Sequence, residues 1–216
     1  LVKHRKKFLI IGNTNSITYK EIFPPIKDNR LWLGCTNFNV GMFFSVPDDW
    51  ERFHHIDEET GRKIARVSTS CWYTNLDHGR RHRPLNLMSM ADNLRFSNTL
   101  RGKTAYDRYD NYDAIEVGTY KEIPGDYAGV MGVPITFLDK YNPEQFEIVG
   151  TTESNDPDNA YRTRVYTSLE CRGAYSERFG KPGVYDLNAS GVVNGIKLFK
   201  RILIRHRVRP IKGNKK

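Results

Sequence analysis

Residues 7–13 read KFLIIGN, and the reading of this run decides the fold. Four large apolar side chains in succession, Phe8 to Ile11, do not alternate with polar ones. They predict a strand buried on both faces, as inside a parallel sheet. A helix should follow: Thr18 and Glu21 have capping-box spacing, and Ile17 and Ile22 sit where a hydrophobic staple would. Pro24 and Pro25 should end or kink it, because neither has an N–H to donate. LWLGC (31–35) is the next strand candidate, so strand, helix and strand form one βαβ unit of an α/β sheet. A strand buried on both faces needs neighbours on both edges, and only six residues precede Lys7.

Outward from this unit, GMFFSVP (41–47) and ARVSTSCWYTN (65–75) predict a long hairpin around a polar stretch, with Gly61 at its turn. Residues 76–112 read as mostly loop, DAIEV (113–117) as a short strand, and 125–150 as turns with two apolar runs. Residues 151–183 have loop composition at their start and read as a surface excursion. In GVVNGIKLFKRILIR (191–205), Asn194-Gly195 predicts a type I′ hairpin. Ile196, Leu198, Ile202 and Ile204 should then share one face of its second strand. Lys197, Arg201 and Arg205 should share the other, about 13 Å apart at four-residue steps. The domain reading is 1–150 as an α/β domain with an inserted hairpin, and 151–216 as a loop, a basic hairpin and a tail.

The 216 residues suffice for one good-sized core and carry a net charge of +9. Of 34 Lys and Arg, nine lie after Asp186, where no acidic residue remains, which leaves 25 against 25 acidic residues before it. A charge excess confined to one end points to a polyanion, nucleic acid first and an acidic membrane second. A solubilising tail is the alternative. Cys35, Cys71 and Cys171 form no C-x-x-C pair, which argues against a zinc ribbon and for reduced thiols in a cytoplasmic protein. No run approaches the roughly 20 apolar residues of a membrane span.

The search for chemistry returns mainly exclusions. GDYAGVMG (125–132) is glycine-rich but is not G-x-G-x-x-G, and reads as turns. His78 and His82 stand among arginines that would repel a metal, so no metal site is expected. His54 and His55 read as solvated, and Asp107, Asp110 and Asp113 as surface carboxylates. Amino-group methylation calls for Asp/Asn-Pro-Pro-aromatic. FPPI (23–26) lacks the polar residue and the ring, and NPEQF (142–146) lacks the second proline.

Several long stretches nevertheless resemble the EcoRI-type adenine-specific DNA methyltransferase family, in the family's order. They are KKFLIIGNTNSITYKEIFPPIKDNRLWLG (6–34), CWYTNLDHGRRH (71–82), YDNYDAIEV (109–117), DYAGVMGVPITFLDKYNPEQFEIVG (126–150) and NGIKLFKRILIR (194–205). The resemblance implies the C-terminal part of a Rossmann-like, S-adenosylmethionine-dependent sheet with β-rich target-recognition elements. In that family an Asn-Pro-Pro-Phe segment and the cofactor site come before the FLIIGN strand, and LVKHRK (1–6) looks like the end of the preceding helix. The missing sheet neighbours would then lie upstream, and no catalytic residue is expected within this chain. The implied partner is double-stranded DNA, in a restriction–modification or phage-like context. The implied chemistry is transfer of a methyl group from S-adenosylmethionine to adenine N6. For the target-base pocket the candidates are Trp72, Tyr73, Asn75, Asn13 and Asn15, since flipped bases are held by stacking and edge contacts. For DNA phosphates they are Lys197, Arg201, Arg205, Arg80 and Arg81. A non-catalytic nucleic-acid-binding remnant of such an enzyme is the alternative, and an RNA-modifying relative a third.

Overall fold

The computed structural model describes residues 2–35, 38, 40–152, 167–182 and 191–207. Residues 153–159 of the predicted loop and the tail residues Arg209, Lys212, Lys215 and Lys216 lie outside them. The chain is mixed α/β and divides into two compact units, Leu1–His82 with Leu138–Lys140, and Arg83–Phe137 with Tyr141–Lys216.

In the first unit β1 (Leu9–Asn13) leads through a 3-10 helix, Thr14–Thr18, to α1 (Phe23–Lys27) and β2 (Trp32–Leu33). The strand and the following crossover are where the sequence predicts them, but two details differ. Asn13, not Thr18, caps the first turn, its side chain accepting from Asn15 N. Pro24 and Pro25 open α1 instead of ending a helix, because in a first turn their missing N–H groups would be unpaired anyway. Ile17, Phe23 and Ile26 face inward.

The third strand of this sheet is β6 (Ser70–Thr74), which lies between β1 and β2 and is antiparallel to both. This corrects the expectation for β1. Its one strand neighbour among the described residues is antiparallel, and Leu9, Ile10 and Ile11 are 54, 42 and 45% exposed. The apolar run fits a strand covered on both faces, and the described residues cover neither.

Between β2 and β6 the predicted hairpin forms only in part, because the run 65–75 divides between a strand of a separate three-stranded sheet and β6. β3 (Met42–Ser45) pairs with β5 (Lys63–Val67), and β4 (His55–Ile56) adds to the other edge of β5. Gly61 stands in the β4–β5 turn at φ +66°, where Asp57 accepts from Thr60 N and Oγ1.

The second unit is built on a four-stranded sheet of β7 (Ala114–Glu116), β8 (Val130–Pro134), β9 (Phe146–Thr151) and β12 (Arg201–His206), in the order β7-β8-β12-β9. β7 runs parallel to β8, and the other pairs are antiparallel. Pairing of β9 with β12 joins segments on either side of residue 151 into one sheet, so the compact units do not divide at 150/151.

The predicted hairpin forms as β10 (Val192–Val193) and β11 (Ile196–Lys197), with Asn194 and Gly195 at φ 51° and 73°. The long alternating second strand does not. The chain leaves β11 after Lys197 and re-enters the larger sheet as β12. There Ile202, Leu203 and Ile204 are all fully buried, because β12 is a central strand covered on both faces. A bulge between Leu203 and Ile204 also breaks the register, so Lys197, Arg201 and Arg205 do not form one row.

Residues 76–112 hold more order than their polarity suggests. α2 (Met90–Phe96) is capped by Ser89, which accepts from Asp92 N. Glu122 is buried with Ser97 and Thr99 hydroxyls donating to its carboxylate, and its carbonyl accepts from Tyr106 and Asn93. Burial pushes the Tyr106 hydroxyl up to about 12. Tyr106, Tyr109 and Tyr112 point inward, while Asp107 and Asp113 meet Lys103 and Arg108 at the surface. The stretch that reads as a surface excursion holds a helix, α3 (Ser168–Phe179), which carries a complete capping box of Thr167 and Glu170 and ends at Gly180 in the left-handed conformation.

Candidate nucleic-acid interface

Of the residues singled out for a base pocket, Asn13, Trp72 and Tyr73 sit on the β1–β6–β2 sheet, Asn75 just past β6 and Asn15 in the 3-10 helix after β1. Register fixes their faces. Ile10 pairs with Tyr73 and Ile11 with Trp72, so the two aromatic rings project to opposite sides. Tyr73 is 6% exposed and donates to Asn13 O at 2.8 Å. Its ring occupies the space a Cβ on Gly12 would need, 2.8 Å from the ring. Burial raises the Tyr73 hydroxyl far above its ordinary range, with the neighbouring Cys71 adding to it.

Trp72 is half-buried and shares its face with Ile11 and, one pair further on, Asn13. Gly34 sits against its Cβ, at a distance only glycine permits, and donates N–H to Trp72 O at 2.9 Å. Asn75 is at the other end of β1. Its amide accepts from Phe8 N at 3.0 Å and donates to Lys6 O at 2.8 Å, which ties down the entry to the strand. Asn15 is exposed in the turn after β1, its backbone N–H held by Asn13. The structure therefore brings Trp72 and Asn13 to one face, puts Tyr73 on the other and Asn75 apart from both. Ile10, Gly12, Ser16 and Tyr73 help line a groove of about 830 Å³, with Arg5, Arg30 and Glu21 among its other walls.

Arg80 and Arg81 are both engaged within the first unit. Arg80 NH2 lies 2.7 Å from both carboxylate oxygens of Asp139, with side chains 19 and 10% exposed. Arg81 is buried, its guanidinium 3.5 Å over the Trp32 ring and hydrogen-bonded to Asn29 and Asp77. His82 bonds Asp77 at 2.8 Å, which holds that carboxyl below its ordinary value. His78 lies 2.9 Å from Leu33 O.

In the second unit Arg201 grips Glu116 with Nε and NH2 at 2.9 and 2.6 Å, and Tyr109 donates to the other carboxylate oxygen. Burial opposes the charge on Arg201, but the Glu116 hydrogen bonds outweigh it and its pKa rises; the Tyr109 hydroxyl rises too, chiefly from burial. Arg205 pairs with Glu147 at 2.7 Å at the half-exposed rim, and Lys197 is half-buried in β11. The sequence picked out Arg201 as a cation; its partner, 85 residues away, had no local signal.

Two near-matches to the methylation motif have structural roles, FPPI as α1 and NPEQF as an Asx turn in which Asn142 accepts from Glu144 N at 2.8 Å. The glycines of GDYAGVMG serve packing: Gly129 faces the Tyr127 ring and Gly132, in β8, the Tyr109 ring. Among the described residues there is no group of three or more His, Cys, Asp or Glu placed to hold a metal, and no helix is long and apolar enough to cross a membrane.

Comparison with known proteins adds the following. The profile of the family described as adenine-specific methyltransferase EcoRI matches residues 1–207. The chain is 48% identical over 152 residues to the Type II methyltransferase M.EcoRI of Escherichia coli, covering 69% of this chain and 44% of that protein. It is 37% identical over 153 residues to M.MgeORF184P of Mycoplasma genitalium and 34% over 153 residues to M.MpnI of Mycoplasma pneumoniae, both Type II methyltransferases, in each case covering 69% of this chain and 45% of the relative. The chain thus spans less than half the length of these curated relatives. No solved structure matches it.

Proposed function

The chain belongs to the EcoRI-type adenine-specific methyltransferase family, and from that premise we propose that it forms the sheet edge and target-recognition elements of a DNA adenine-N6 methyltransferase. The observation that carries this reading is the β1–β6–β2 sheet. Its outer strand is apolar on both faces and uncovered, as the last strands of a larger Rossmann-like sheet would be when seen alone. β1 and β2 are parallel and joined by a helical crossover, which suits that architecture.

S-adenosylmethionine is the methyl donor this reading requires. The described residues do not fit it: they offer no glycine-rich turn between a strand and a helix, and the groove beside β1 is walled mainly by apolar side chains, with two arginines set against the single carboxylate of Glu21. No step through the cofactor is assigned to them. What they can supply is recognition of double-stranded DNA. Trp72, half-exposed and on one face with Asn13, has the chemistry to stack on an extruded adenine, and Lys197 and Arg205 to meet phosphates. Arg201 on this reading positions β12 through Glu116.

Salt dependence of duplex binding tests the DNA part. Each neutralised phosphate contributes a slope of roughly −0.9 in log affinity against log salt. Lys197→Ala with Arg205→Ala should flatten the slope by about two units and weaken cognate and scrambled duplexes alike, because phosphate contacts position and base contacts specify. An unchanged slope would remove both residues from the interface.

A further inference from the structure

Phe199 is 90% exposed, the most exposed of the large apolar side chains in the described residues. It does not sit on a slack loop. On one side, Leu198 packs against the cluster of Tyr109, Tyr112, Val193 and Leu203, and its N–H donates to Gly191 O at 2.9 Å. On the other, Arg201 is fixed by Glu116, its N–H donates to Thr152 Oγ1 at 2.9 Å and its carbonyl accepts from Thr152 N at 3.0 Å. The hairpin before it is clamped as well, since the Asp110 carboxylate accepts from Asn194 N and Gly195 N at 3.2 and 2.8 Å. Phe199 is thus held out between two anchored points, with the half-buried Lys200 beside it.

In sequence the ring has only basic charged neighbours. Lys197 and Lys200 bracket it, and residues 191–207 contain no acidic side chain. An aromatic ring presented rigidly between cations matches what a nucleic-acid duplex offers: a π-face or a base step, with phosphates on either side. A second protein surface would ask for apolar neighbours around the ring, and the residues flanking Phe199 in sequence are Leu198, turned into the core, and Lys200.

We propose that Phe199 is a DNA-contacting wedge, inserting against the bases of duplex DNA while Lys197 and Lys200 meet the flanking phosphates. This rests on the DNA-directed reading above and adds to it a contact that neither the resemblance nor the base-pocket candidates contain. Because the ring is almost wholly in solvent, replacing it should not disturb the fold.

The test uses the full product of the gene that encodes this chain and a short duplex carrying a fluorescent base analogue that brightens when unstacked. Phe199→Ala should weaken duplex binding about tenfold or more, since stacking on an aromatic side chain dominates such contacts. It should lower the analogue's brightening and leave the salt slope unchanged, because no phosphate contact is lost. Phe199→Trp should keep affinity near the unaltered protein's. Unchanged affinity and brightening in Phe199→Ala, with binding by the unaltered protein intact, would overturn the wedge and leave the DNA reading standing. Failure of the unaltered protein to bind duplex would overturn both. If Phe199→Ala instead lowers self-association while DNA affinity holds, the ring belongs to an interface between copies and the wedge is overturned.

Discussion

Replacing Arg201 by Ala should cost about 3–5 kcal/mol of stability, the range for removing one partner of a buried ion pair. The Glu116 carboxylate would keep the hydrogen bond from Tyr109 but lose both guanidinium contacts, in a site where the two charged side chains are 17 and 12% exposed. Loss would appear as a lower denaturant midpoint. The double change Arg201→Met with Glu116→Leu should recover most of it, since the charge left behind, not the pair itself, is the larger penalty. This decides between two roles. A phosphate-binding arginine would leave the midpoint alone and weaken DNA binding. The geometry predicts the reverse order of effects, with DNA binding affected only as β12 is displaced. An unchanged midpoint in Arg201→Ala would contradict the positioning role.

The second large effect concerns Trp72. If its ring stacks on the target adenine, Trp72→Ala removes a contact of about 1–3 kcal/mol, so single-turnover methylation should fall by roughly ten- to a hundredfold. Trp72→Phe should retain most of the rate. Tyr73→Phe is the matched control. It keeps the buried ring and removes one hydrogen bond to Asn13 O, so it should lower stability by about 1 kcal/mol and leave methylation near normal. A silent Trp72→Ala alongside an inactive, folded Tyr73→Phe would reverse the assignment of faces.

Particular residues show how far the sequence could be read. The Asn194-Gly195 turn was legible because only a few residue pairs tolerate two successive positive φ values. That one of Trp72 and Tyr73 must face inward follows from strand alternation; which one depends on Gly12 leaving room for Tyr73, a contact 61 residues apart in sequence. β1 was found as a strand but misplaced in its surroundings, because an apolar run records what a strand is suited to contact and not which neighbours these residues supply. α3 had its signal in plain view, Thr167 with Glu170 and a closing Gly180, and was obscured by the polar run before it. The Tyr106–Tyr109–Tyr112 series, each followed by an Asp, likewise announced one inward side at a spacing of three residues, which neither helix nor strand templates detect. The commitments of Arg80 to Asp139 and Arg201 to Glu116 were not legible at all. A cation's sequence neighbourhood does not say whether its counter-charge is a phosphate or a carboxylate brought in by the fold.

Methyl transfer itself tests the central claim most directly. The full product of the gene, incubated with isotopically labelled S-adenosylmethionine and duplex DNA of mixed sequence, should deposit label as N6-methyladenine, detected by mass spectrometry of the digested DNA. The proposal predicts that modified nucleoside, within a restricted sequence context and diminished by Trp72→Ala. Folded protein that binds the duplex yet leaves every adenine unmodified would contradict it and make this family member a nucleic-acid-binding protein without methyltransferase activity.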